Sequence, residues 1–128
     1  MNEKNLWLII GTISAALAVI MGAFGAHILE PIVSEGDFIT YQKAVRYQMY
    51  HSFGLIVVAL LSSQGLYKPL KIAGWCFFIG IILFSGSLYL IVFTGLRGFG
   101  VITPVGGVAF VLGWISLAFS GFRGNLNK

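Results

Sequence analysis

His27 and His51 are the two histidines of this chain, and an imidazole can do three kinds of work. It can pair as a structural hydrogen-bonding group, carry a proton or hold a ligand, or bind a metal. Arg46, Tyr47, Ser85, Ser87, Tyr89, Arg97 and Thr103 complete the set of side chains whose types suit a polar site. Two histidines suffice for both axial positions of one haem, but no Cys-x-x-Cys-His attachment sequence occurs. A catalytic metal usually takes three protein ligands, and Glu30 is the only carboxylate near His27. No Ser/His/Asp or Cys/His arrangement stands out, and no Walker-type phosphate loop is present. The expectation is therefore no enzyme, no metal and no cofactor, with the structural, ligand-binding and haem readings of the histidines kept open.

The elements that position these residues follow from composition. Of 128 residues, 58% are hydrophobic and 9% charged, with mean hydropathy +0.93. A soluble domain holds about 25% charged residues; this chain has lipid as its solvent. Eight basic and four acidic side chains are scattered without a basic block, which argues against a nucleic-acid partner and suits anionic headgroups. The lone Cys76, inside an apolar run, excludes an intrachain disulfide and reads as a packing residue.

Four apolar runs approach the roughly 20 residues that cross a bilayer. The expected fold is an all-α, single-domain, four-helix transmembrane bundle with helices near 6–29, 40–64, 72–94 and 103–122. Thr103-Pro104 reads as a helix start. The first run exceeds the 7–15 residues of a signal-peptide core, so it is expected to remain as a helix. Residues 31–46 are mixed polar and aromatic. Asp37 or Thr40 can cap a helix there, giving a short interfacial segment ahead of the second span.

Lipid offers helices no hydrophobic reason to associate, so small residues that let backbones approach carry that role. Ser14, Ala18, Gly22 and Ala26 repeat every four residues on helix 1, and Gly80, Gly86, Gly106, Gly107 and Gly113 fall on helices 3 and 4. These stripes close the bundle or join copies, and a homo-oligomer is expected.

Alternating crossings place His27, His51 and the other candidate polar residues in one half of the bilayer. His51 reads as about one turn inside helix 2, near the interface. The middle of each span then carries no ionisable group, which disfavours a coupled transporter.

Four motifs, GAFGAH at 22–27, YQKAVRYQMYHSFGL at 41–55, FSGSLYL at 84–90 and ITPVGG at 102–107 followed by GW at 113–114, carry a family likeness. Together they resemble the "domain of unknown function 423" family (YgdD/YwdK-like small bacterial membrane proteins), in order over nearly the whole chain. The resemblance implies a four-helix protein of the plasma membrane and brings no catalytic residue, substrate or cofactor. Two functions remain open. One is a non-catalytic membrane protein that binds lipid or a partner and supports membrane integrity. The other is a minimal oligomeric transporter or channel for a small solute or ion.

Basic residues favour the cytoplasmic side. Lys4, Lys68, Lys71, Arg123 and Lys128 fall on one side, and Lys43, Arg46 and Arg97 on the other. This bias predicts both termini in the cytoplasm. A reporter active only outside the cytoplasm, fused after Lys128, is expected to stay silent; strong activity from an inserted fusion reverses the orientation.

Overall fold

A computed structural model describes residues 1–65 and 68–126, with side chains through Arg123. Lys128, part of the charge bias, lies outside the described residues. The chain is an all-α membrane protein built from four long apolar helices, and the described residues include no strand. We label them α1 (Glu3–Ile32), α2 (Glu35–Gln64), α3 (Lys68–Thr94) and α4 (Thr103–Leu126), the last preceded by a 3₁₀ turn, Arg97–Val101. At 1.5 Å per residue, α1 and α2 are each about 45 Å long, enough to cross a hydrocarbon core of about 30 Å with turns to spare.

Local signals set the boundaries. The Asn2 side chain accepts from Lys4 N at 3.4 Å to open α1. Ser34 Oγ accepts from Asp37 N at 3.1 Å, so Ser34, rather than Asp37 or Thr40, caps α2. Glu35 and Asp37 in the first turn add favourable charge at the positive end of the helix dipole. The polar segment before the second span is thus helical and continuous with it. Gly95, at φ 72°, ends α3 in the left-handed conformation, and its N–H donates to Ile91 O at 2.9 Å. Two π turns interrupt the helices, Gly25–Leu29 in α1 and Ile81–Ser85 in α3.

Successive helices run antiparallel. α1 packs along α2, α3 along α4, and α2 against α3 joins the two pairs. In the most apolar window, 44% of α2 and 39% of α3 is buried, against 17% of α1 and of α4. The inner helices are therefore α2 and α3, and the outer two present most of their surface to lipid. The core holds Trp7, Leu55, Val58, Leu70, Ala73, Phe77 and Phe110, with a smaller cluster of Ala44, Leu88 and Ile91.

Rings seated on glycines set the close approaches. Across the α3–α4 seam, the Phe77 ring faces Gly113 and the Phe110 ring faces Gly80, while the backbone of Phe84 packs on Gly106. A Cβ added at Gly113 would lie 2.7 Å from the Phe77 ring, and one at Gly106 would lie 2.8 Å from Phe84 Cα. Trp7 occupies the same kind of seat on Gly74, and Tyr41 on Gly25. Such interlocking gives van der Waals contact that lipid tails cannot match.

The other small residues divide. Ala18 is buried, Ser14 and Gly22 are half-buried, and Ala26 is exposed. The reason is geometric: four residues turn a helix by about 400°, so each step drifts about 40° and Ala26 leaves the face Ser14 occupies. The stripe that stays inward runs through Trp7, Gly11, Ala18, Gly25 and Leu29. Gly86 has no neighbour within 4 Å of an added Cβ, and Gly107 has only ordinary contact with Phe84.

Gly106→Ala is expected to cost about 1–3 kcal/mol, since helix backbone must move. Gly86→Ala is expected to be neutral or to stabilise by up to about 1 kcal/mol through helix propensity. Thermal unfolding in detergent distinguishes the two; equal effects contradict the interlocked seam.

Candidate functional site

His51 sits near the middle of α2, about 16 residues from Glu35 and about 13 from Gln64, or roughly 24 and 20 Å along the axis. Counting from the Ser34 cap, not from the apolar run, moves it from one turn inside the helix to mid-helix. An ionisable side chain therefore sits at the middle of α2, farther along the helix than the one turn expected from the sequence. His51 is 4% exposed. Trp114 Nε1–H of α4 donates to its Nε2 at 3.0 Å, and its Nδ1 lies 2.6 Å from Tyr47 O. Indole only donates, so Nε2 must be the acceptor and Nδ1 carries the proton given to the Tyr47 carbonyl. The two partners select one neutral tautomer. Phe110 stacks on the ring with centroids 3.4 Å apart and planes 7° apart.

One turn away, Gln48 ties three helices. Its Nε2 donates to Ser14 O of α1 at 3.0 Å, and its Oε1 accepts from Tyr89 OH of α3 at 2.7 Å. Ser52 Oγ lies 2.6 Å from Gln48 O and 2.7 Å from Ser14 Oγ. Tyr41 OH donates to Met21 O at 2.5 Å and its ring meets Tyr89 edge-on. Ser85 Oγ donates to Ala44 O at 2.7 Å, joining α3 to α2, and Ser87 pairs with Thr103 at 2.6 Å, joining α3 to α4. Each of these hydroxyls and the Gln48 amide has a partner inside the protein, as a water-free surrounding requires.

The candidate residues thus do not form one site. Tyr47 and His51 belong to the α2–α4 side, Tyr89 to Gln48, and Ser85, Ser87 and Thr103 to helix seams. Arg97 forms an ion pair with Asp37 at 2.8 Å near the start of α2; its exposure makes the pair worth little. His27 lies exposed in the π turn with no hydrogen-bond partner among the described residues, and it does not meet His51. α1 ends at Ile32 and α2 starts at Glu35, so His27 sits near one end of the bundle while His51 sits far below it. Arg46 is exposed and has no carboxylate partner among the described residues.

Two grooves flank α2. One, of about 300 Å³, lies between α1 and α2, with Gly22, Gly25 and Ala26 on one wall and Phe38, Tyr41, Gln42, Val45 and Arg46 on the other. The other, of about 370 Å³, lies between α2 and α4 and is lined by Tyr47, Tyr50, His51, Gly107, Phe110, Val111 and Trp114. Gln48, Ser52, Tyr41 and Trp114 are the functional-looking residues that the sequence reading passed over. The inward face of α2 runs through Tyr41, Ala44, Gln48, Ser52, Leu55 and Val58 at helical spacing. Extending that spacing upstream of the apolar run is the signal that reveals Gln48 and Ser52.

The family model described as "Protein of unknown function (DUF423)" matches residues 21–107. A UPF0382 membrane protein of Staphylococcus aureus (strain bovine RF122 / ET3-1) is 43% identical over 119 residues, covering 93% of this chain and 97% of its own length. The UPF0382 membrane protein YwdK of Bacillus subtilis (strain 168) is 43% identical over 121 residues, covering 93% and 98%. No solved structure matches the chain.

His27→Ala is expected to leave thermal stability within about 0.5 kcal/mol, as for a surface site. His51→Ala strands the Trp114 donor and is expected to cost about 1–3 kcal/mol. Because the two do not touch, the double variant should be additive; a sub-additive loss measured in detergent would show coupling that the geometry lacks.

Proposed function

The chain belongs to the DUF423 family, whose matched relatives are named only as membrane proteins, and we propose that this one binds anionic lipid without catalysis. The observation that carries the reading is Arg46. It lies about 11 residues, or roughly 16 Å, along α2, on the wall of the α1–α2 groove. An exposed guanidinium at that depth, without a carboxylate, needs an anion. Its long stem reaches toward the headgroup layer, and its planar fork suits a phosphate. Gly22, Gly25 and Ala26 leave the opposite wall low enough for an acyl chain. On this reading the protein sits in the cell membrane with both termini in the cytoplasm, so Arg46 serves the outer leaflet. The lipid-facing sides of α1 and α4 serve self-association, and the bound lipid supports membrane integrity.

A second reading, a minimal oligomeric transporter or channel for a small solute or ion, is favoured by the depth of His51. The lipid reading stands first because both nitrogens of His51 are already engaged within the fold.

Native mass spectrometry from mild detergent, with phosphatidylglycerol and phosphatidylcholine offered in equal amounts, tests the proposal. The unaltered protein should retain phosphatidylglycerol preferentially, and Arg46→Gln should lower that retention about tenfold, as for loss of a charge-assisted bond. Equal retention of both lipids refutes it. Ion flux into reconstituted vesicles that His51→Asn abolishes would move the conclusion to the second reading.

A further inference from the structure

We propose that His51 is a proton-binding site in the middle of the membrane, and that binding the proton releases the Trp114 indole of α4 from α2. The proposal needs neither lipid binding nor transport. Among the described residues, Trp114 to His51 is the only side-chain hydrogen bond joining α2 to α4. Beside it Phe110 of α4 stacks on His51 and approaches Tyr47, and next to these contacts a groove lined by Tyr50, Gly107 and Val111 parts the two helices. The bond is a latch across a cleft.

The latch depends on one lone pair. Trp114 Nε1–H is a donor with no acceptor capacity, and the Nε2 lone pair of His51 is what receives it. A proton arriving at Nε2 forms an N–H bond with that lone pair and turns the ring into a donor at both nitrogens. Two N–H groups then face each other at 3.0 Å, and the hydrogen bond is lost. The Nδ1–H bond to Tyr47 O survives, since it donates in both states. The change is therefore confined to the α4 side.

The surroundings let the ring hold a charge without neutralising it. From α2 the titratable groups facing the groove are the phenols of Tyr47 and Tyr50; α3 contributes Phe77, and α4 contributes Phe110 and Trp114, none of which titrates. No carboxylate among the described residues lines this groove. The compensation for a cation comes from the Phe110 face, stacked at 3.4 Å. Trp114 is 44% exposed, so its indole can rotate outward without displacing the core. Proton binding thus trades a hydrogen bond between helices for a cation on the Phe110 face and frees the Trp114 indole to leave the groove.

The test is ¹⁵N nuclear magnetic resonance on the full chain in lipid nanodiscs. His27→Gln, at an exposed position without a partner among the described residues, leaves His51 as the only imidazole. Near pH 8 the ring is expected to show a protonated Nδ1 and an unprotonated Nε2. The Trp114 indole proton, identified by its loss in Trp114→Phe, is expected downfield, as for a hydrogen-bonded donor. On acidification to about pH 4, through the usual histidine range, the Nε2 and indole signals should shift together at one midpoint. The unsubstituted protein should give the same indole titration. The proposal is overturned by an indole signal that stays fixed while His51 titrates, by a ring protonated only at Nε2 near pH 8, or by no titration down to about pH 4.

Discussion

The middle of a bilayer holds no water to satisfy a stray polar group, and each one left unpaired there costs several kcal/mol. That constraint organises this bundle. Gln48, His51 and Ser52 lie on the buried side of α2 at mid-span, and each is paired: Gln48 with Ser14 O and Tyr89, Ser52 with Gln48 O and Ser14 Oγ, His51 with Tyr47 O and Trp114. Their partners come from all four helices. A helix that slid by one turn, or rotated away, would break at least one pair with nothing to replace it. The polar cluster therefore sets register and rotation, a role that non-directional lipid-facing contacts cannot perform.

Packing supplies what the hydrogen bonds do not. Aliphatic surface is as well solvated by acyl chains as by a neighbouring helix, so affinity between helices has to come from close contact. Rings on glycines provide it. The Phe77 and Phe110 rings interleave with Gly113 and Gly80 along the α3–α4 seam, Gly106 admits the Phe84 backbone there, and Trp7 sits on Gly74. The two devices meet at Phe110, which sits on Gly80 with one part of its ring and stacks on His51 with its face. Repacking that seam would therefore move the ring against which the mid-membrane histidine rests. This coupling links the stability of the bundle to the chemistry available at His51.

Much of this architecture is legible in the sequence because hydropathy and helix length are local properties. The four runs, the Thr103-Pro104 start of α4 and the family likeness needed no tertiary information. The depth of His51 did. Residues 35–46 are polar enough to look like an interfacial segment, yet the Ser34 cap and the inward Tyr41 and Ala44 make them the first turns of α2. The partners of Gln48 and Ser52 on other helices lie 34 to 41 residues away, a separation no spacing rule reaches. The stripe of small residues on α1 leaves the buried face at Ala26 because a strict four-residue repeat is not the period of a helix. His27, the most conspicuous residue of GAFGAH, lies exposed, while the neighbouring Gly25 lies under Tyr41.

Everything said of the polar cluster rests on its lying at the bilayer centre, and depth can be measured directly. Spin labels placed singly at Ile39, Tyr50 and Leu60, exposed positions along α2, in protein carrying Cys76→Ala, report their depth through oxygen and aqueous nickel relaxation in vesicles. The label at Tyr50 should be the deepest of the three, near the bilayer midplane, with Ile39 and Leu60 shallower on opposite sides. A Tyr50 label at headgroup depth, no deeper than Ile39, would return His51 to the interface and contradict the assignment.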